Sequence, residues 1–236
     1  AFKTIFIKSV SGSISTLICA FIDTVNLVYI GRLNDPVLLG VVGLSATLIN
    51  CVNNTFVSGI NGAFDTLVSQ AYGKKEYYLW GCYFNRCIII QLIFFVVQSF
   101  ILGFSKDICL FFGQDYNRSV LVQEFIMWML PGILSFTFFK TIRRYIQCLD
   151  DFNTALWIQG LTSIFHWGWL WLFMFYFDLG VKGWALATFV THSLSVSLLC
   201  LYIYWKKDEV MMKTFHFINK DSFRGWSIYF RYAIPS

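Results

Sequence analysis

One aspartate, two histidines and a row of asparagines lie inside stretches otherwise built from apolar side chains, and such groups can carry a proton or hold a cation. Asp23 stands out, since an ionisable side chain in hydrocarbon costs at least about 2.5 kcal/mol and so needs a reason. A carboxyl group that alternates between a low-dielectric and a wet environment can pick up and release a proton, and this makes Asp23 a candidate ion-coupling residue. The alternative is an Asp that only hydrogen-bonds a neighbouring helix. Asn26 lies one turn further on, and Ser9 and Thr16 share the face at seven-residue spacing. His166 occupies the middle of a later apolar run, with Gln159, Thr162 and Ser163 on its face at spacings of seven, four and three. It could titrate with a carboxylate, or be a packing residue satisfied by its neighbours. His192, flanked on its face by Thr188 and Ser195, repeats the pattern.

The asparagines belong to Leu44 to Lys75, LSATLINCVNNTFVSGINGAFDTLVSQAYGKK. At 100° per residue Asn50, Asn54, Ser58, Asn61 and Asp65 fall within a sector of about 80°. The broad surface of this helix is apolar and the stripe is polar, the reverse of a soluble helix. Such a helix lies among others in lipid and turns its stripe toward a cavity they enclose. Asn50, Asn54 and Asn61, with Gln159, Thr162, Ser163 and His192, are the expected cavity lining.

The elements that must position these groups follow from composition. The chain of 236 residues is 57% hydrophobic and 13% charged, with a mean hydropathy of +0.62. A soluble domain would need about a quarter charged residues to cover its surface. Segments of about 20 mostly apolar residues span a bilayer, and six occur, at about 4–30, 37–72, 78–104, 119–148, 152–177 and 184–205. The expected fold is therefore an all-α membrane protein, a six-helix bundle over 1–205 followed by a linker over 206–236.

Lys and Arg fall mainly in alternate connections, among them Lys3, Lys8, Lys74, Lys75, Arg86, Lys206 and Lys207. The positive-inside rule places these, and both ends of the sequence, in the cytoplasm. Lys140, Arg143 and Arg144 read as anchors facing anionic lipid. Trp80, Trp157 and Trp205 near one boundary, and Trp184 near the other, read as an aromatic belt. Glu124 reads as a residue that snorkels to the headgroups. Pro131 with Gly132 marks a kink in the fourth span.

The net charge of +5 is explained by this topology, and no nucleic-acid partner is expected. The seven cysteines are scattered without a CxxC pair or a His at metal-ligand spacing, so neither a metal site nor a disulfide framework is expected. There is no GxxxxGK loop, GxSxG or HExxH, so nucleotide-driven transport and hydrolysis are not indicated and no cofactor is expected. The first apolar run is too long for a cleavable signal sequence.

Several stretches resemble the multidrug and toxic compound extrusion transporters. IDTVNLVYIG, Ile22 to Gly31, looks like that family's first-span pattern, and GINGAFDTLVSQAYGK, Gly59 to Lys74, looks like its second-span signature. RYIQC, Arg144 to Cys148, is similar to the stretch closing the fourth span, with Pro131 upstream, and GVKGWALA, Gly180 to Ala187, to the one opening the sixth. FRYAIPS, Phe230 to Ser236, resembles the approach to a seventh span.

The resemblance implies twelve spans in two pseudo-symmetric lobes, of which this sequence supplies the N-terminal one; its partners are the lipid bilayer, a small organic substrate and a C-terminal lobe. It also implies antiport, with protons or sodium entering as an organic, often cationic compound leaves. Asp23 matches the first-span Asp of the family's ion site. The second carboxylate that some members carry in the fifth span is replaced by the face of Gln159, Ser163 and His166. Asp65 and Gln70 match motif positions expected to fix helix contacts. A plasma or vacuolar-type membrane is the expected location. A flippase for lipid-linked precursors, of related fold, is the alternative, disfavoured at this stage by the lack of a Lys or Arg expected at mid-depth. A membrane-embedded enzyme using His166 and Asp23 would need a nucleophile or metal set that the sequence does not offer.

Overall fold

The computed structural model describes residues 2–33, 35–206, 209–214, 226 and 229; the side chains at 2–9, 11, 16 and 20, among them Ser9 and Thr16, lie outside that description, as does Asn34. Every regular element among the described residues is helical. Helix α1 (Phe2–Gly31) is followed by α2 (Pro36–Ile49), which passes through a π turn (Asn50–Asn54) into α3 (Thr55–Gly73). Next come α4 (Tyr77–Gly103), a short α5 (Ser105–Phe111) and the long α6 (Tyr116–Cys148). Helix α7 (Phe152–Trp171) runs into a second π turn (Leu172–Tyr176), and α8 (Gly180–Lys206) and α9 (Glu209–Thr214) close the order.

Five of these, counting α2 to α3 as one, are long and apolar enough to cross a membrane: Gly12–Gly31, Pro36–Gly73, Tyr77–Gly103, Tyr116–Cys148 and Gly180–Lys206. Helix α7 has comparable length with its π turn, but its polar row of Gln159, Thr162, Ser163 and His166 lowers its hydropathy. The row is paid for by burial among neighbouring helices, so the bundle has six long members.

Helix starts follow local chemistry. Asp35 caps α2, its Oδ1 accepting from the N–H groups of Val37 at 2.8 Å and Leu38 at 3.3 Å, with Pro36 in the first turn where its missing N–H costs nothing. Asp115 and Asp151 cap α6 and α7 in the same way. The polar connection after the third span contains α5.

Helix α6 is central, packed against α2, α3, α4, α5, α7 and α8. It stays helical through Pro131, so the expected interruption there is absent as a break in the helix; the departures from α geometry are the two π turns. Two hydrophobic clusters hold the ends. One gathers Phe64, Leu67, Trp80, Phe84, Tyr145 and Ile203 where α3 ends and α4 begins. The other gathers Val42, Leu102, Ile126, Leu170, Met174 and Trp184 around the second π turn and the start of α8. Trp80 and Trp184, expected at the membrane boundaries, are thus buried inside the lobe; Trp157 and Trp205 are exposed, 77% and 80%.

The second cluster depends on a close approach. A Cβ at Gly183 would lie 2.6 Å from the carbonyl carbon and oxygen of Phe173, so only glycine lets α8 start against the π turn. Gly180 begins α8 at φ +52°, in the left-handed region that glycine enters without strain. Beyond Lys206, the described residues of the expected linker dock on the lobe. Tyr145 Oη lies 2.6 Å from Thr214 Oγ1, and the buried Tyr229 hydroxyl donates to the Ile60 carbonyl at 2.9 Å.

Candidate functional site

Between the two apolar clusters runs a polar layer with a cavity of about 290 Å³. Its walls come from α1, α2 with the first π turn, α6, α7 and α8. Asp23, Asn26, Asn50, Asn54, His166 and His192 all line it, so the topology brings together residues up to 169 positions apart in sequence. Asn53, Phe136, Trp184 and Thr188 complete much of the wall. Asp23 is exposed on the lobe and opens into this space.

His166 is 1% exposed and bonded at both ring nitrogens. Nε2 lies 2.9 Å from Asn26 Oδ1, and Nδ1 lies 2.8 Å from Thr191 Oγ1. Facing a carbonyl oxygen, Nε2 is the donor. The Thr191 hydroxyl also reaches the Ala187 carbonyl at 2.8 Å, and a hydroxyl has one proton to give. With the ring neutral, Thr191 donates to Nδ1. With the ring protonated, Nδ1 donates to Thr191, which turns its proton to Ala187. The site therefore satisfies either protonation state without moving a heavy atom. Asn26, one turn from Asp23, thus gives its side-chain oxygen to His166.

The first π turn decides where the polar stripe points. A π turn adds in effect one residue to the helical count, rotating everything beyond it by about 100°. Asn50 and Asn54, whose side chains bond each other, stay on the cavity wall. Asn61 turns to α4, accepting from Gln91 Nε2 at 3.1 Å, while Thr141 Oγ1 donates to Gln91 Oε1 at 2.5 Å. Asp65 meets Arg144 of α6 at 2.9 Å. Gln70 is exposed, and its backbone carbonyl accepts the Lys74 N–H.

Asn61, Gln159, Thr162 and Ser163 are thus corrected from cavity lining to helix contacts. Gln159 joins α7 to α1, accepting from Ser15 Oγ at 2.5 Å and donating from Nε2 to the Ser15 carbonyl at 2.9 Å. Thr162 accepts from Ser195 of α8 at 2.9 Å, and Ser163 donates to the Gln159 carbonyl at 2.6 Å. These groups share a helical face with His166, but that face is wide enough to meet different neighbours at different depths.

Two of the α6 cations, Lys140 and Arg143, reach partners inside the bundle, while Arg144 stays exposed and pairs with Asp65. Arg143 Nη1 donates to Gln159 Oε1 at 2.9 Å and to Ser15 Oγ at 3.1 Å, and Lys140 Nζ donates to Asn54 Oδ1 at 3.1 Å. Their reading as lipid anchors is overturned. Three cations at spacings of three and one fan out from the helix, and the long stems reach amide and carboxylate partners within the bundle. Sequence spacing gave no sign of this, because the partners lie on other helices. Glu124, expected to snorkel freely, pairs with Lys182 at 2.7 Å.

A family model described as MatE matches residues 13–172. Protein DETOXIFICATION 9 of Arabidopsis thaliana is 27% identical over 208 residues, covering 88% of this chain and 42% of its own length. Multidrug and toxin extrusion protein 1 of Xenopus tropicalis is 28% identical over 223 residues, covering 94% and 38%. The eukaryotic MATE transporter AtDTX14 superposes with a TM-score of 0.89 at 22% identity, over 99% of this chain and 51% of that one. The bent form of the Vibrio cholerae transporter VcmN superposes with a TM-score of 0.86 at 16% identity, over 98% and 51%. The chain therefore spans about half the length of the proteins it matches.

Proposed function

The chain belongs to the MatE family, and from that premise we infer that it forms the N-terminal lobe of a secondary active antiporter exporting organic, mainly cationic compounds in exchange for protons or sodium. The observation that carries this reading is the carboxylate of Asp23, open to a largely apolar cavity whose polar groups are a few asparagines, Thr188 and two histidines, walled by five helices. At about 290 Å³ the cavity matches the lower end of small-molecule sites, roughly 300–1,000 Å³, and a facing lobe would enlarge it. Both ends of the lobe are cytoplasmic in this reading, and the host membrane is the plasma or a vacuolar-type membrane.

Asp23 carries the exchanged ion. Ionised, it holds a cation; protonated, it loses the charge that attracts one, which biases a helix bundle between two arrangements. His166, lining the same cavity, ties Asn26 on α1 to Thr191 on α8. Asp23→Asn in the full-length protein, reconstituted in liposomes, is expected to abolish gradient-driven efflux while folding normally. Wild-type efflux by that variant would overturn the assignment.

A second reading is a flippase for lipid-linked precursors. Lys140 bonds Asn54 of the cavity wall, so a cation for an anionic headgroup is present after all. Transbilayer movement of a pyrophosphate-linked lipid, without substrate-stimulated proton flux, would favour it.

A further inference from the structure

The lobe keeps a cation of its own at the cavity wall. Lys140 leaves α6 eight residues before its end at Cys148, roughly 12 Å inside the helix at 1.5 Å per residue. Its Nζ donates to Asn54 Oδ1 at 3.1 Å and sits 4.6 Å from the centre of the Phe136 ring. Asn54 and Phe136 both line the cavity that Asp23 faces. His192 stacks on Phe136 with centroids 4.7 Å apart, which holds that ring in place. An aromatic face beside an amide oxygen, with a carboxylate in the same cavity, is what an organic cation would use for binding. Lys140 already occupies it.

Resting on the transport reading above, we propose that Lys140 is a specificity-determining residue: a tethered competitor that an organic cation must displace from Phe136 and Asn54. A lysine suits this role because its ammonium is a compact charge on a flexible stem and can withdraw. Tethering places it at a millimolar or higher effective concentration, so cations that bind weakly are kept out. Lys140 therefore sets a threshold of affinity. It does not itself carry the exchanged ion.

The test uses the full-length protein in nanodiscs, with tetraphenylphosphonium as the cation and uncharged triphenylphosphine oxide as the neutral aromatic. Lys140→Met is expected to lower the Kd for the cation about tenfold and to leave that for the neutral probe within about threefold. Lys140→Arg keeps a competing cation and is expected to bind the probe cation no more tightly than the wild type does. If Lys140→Met fails to fold, Lys140→Gln carries the same expectation. An unchanged or raised Kd for the cation in a folded, charge-removed variant overturns the proposal, as does equal tightening for both probes. The two readings fail separately. Loss of efflux in Asp23→Asn with no tightening in Lys140→Met leaves the transport reading standing and removes this one, whereas tightening with normal Asp23→Asn efflux leaves this proposal standing and removes the assignment of the exchanged ion to Asp23.

Discussion

His166 touches Asn26 with one ring nitrogen and Thr191 with the other, so replacing it by Leu strands the Asn26 side chain, 3% exposed, while Thr191 keeps the Ala187 carbonyl as its acceptor. Leaving a buried group unpaired costs about 1–3 kcal/mol, less whatever water recovers. Thermal unfolding of the full-length His166→Leu protein in detergent should show a loss of about 1–3 kcal/mol, partly restored in His166→Gln. Asp65 and Arg144 make the contrasting case. Their side chains are 34% and 47% exposed, so solvent screens the pair, and Asp65→Asn should cost less than about 1 kcal/mol. Equal losses for the two variants would contradict the placement of His166 in a dry site. The residue types were legible in the sequence, since polar groups in apolar runs need partners. The partners were not, because Asn26 and Thr191 come from helices 140 and 25 positions away.

At the scale of elements, the two π turns separate what periodicity could foresee from what it could not. The first redirects the polar stripe, leaving Asn50 and Asn54 at the cavity and sending Asn61 to α4. The second lets α8 begin against Phe173, and there the requirement for glycine is steric. Gly183→Ala forces a Cβ within 2.6 Å of backbone atoms that cannot move aside, and a loss of at least about 1–3 kcal/mol is expected. Gly160→Ala is the control, because a Cβ there meets no atom within 4 Å. It should be neutral or stabilising by about 0.5–1 kcal/mol, as helix propensity alone dictates. Paired melting curves check both, and a neutral Gly183→Ala would mean that α8 does not start where it is described. The motif GVKGWALA was visible in the sequence, but its second glycine serves a contact with the preceding π turn that no spacing rule encodes.

At the scale of the whole molecule, two apolar clusters bracket a polar layer, and connections outside the membrane tie the helices together. Asp151 is the main tie: it caps α7 through the Thr154 N–H at 3.2 Å and accepts from Tyr202 and, at 2.8 Å, from Lys206 of α8. Burial by itself pushes its carboxyl up, but the hydrogen bonds from Lys206, Tyr202 and Thr154 outweigh it and hold the group down at about 2. An unfolded Asp titrates near 3.9, so the ionised form stabilises the fold above about pH 4, and that contribution is lost as pH falls from about 4 toward 2. Allowing for screening it amounts to no more than about 2 kcal/mol. Asp151→Asn keeps a capping oxygen and removes the charge. Its deficit in unfolding temperature should be full at pH 6 and shrink by pH 3; a deficit independent of pH would show that the charge is not the cause.

The sequence by itself determined the membrane-embedded all-helical fold and marked Asp23, Asn50, Asn54, His166 and His192 as polar groups in apolar runs, which the structure gathers around one cavity. Both readings follow from the cost of burying polar groups in hydrocarbon, a local property of composition and period. Tertiary structure decided which polar groups share one cavity and which tie helices together. Gln159 and His166 share a helical face, yet one clamps Ser15 and the other lines the cavity. The same holds for charge: Lys140, Arg143 and Arg144 lie near one end of α6, where lipid contact is the local expectation. Only the arrangement of α7, the first π turn and α3 around that helix supplies Gln159, Asn54 and Asp65 as partners, because a long cationic side chain goes where acceptors lie within reach of its stem.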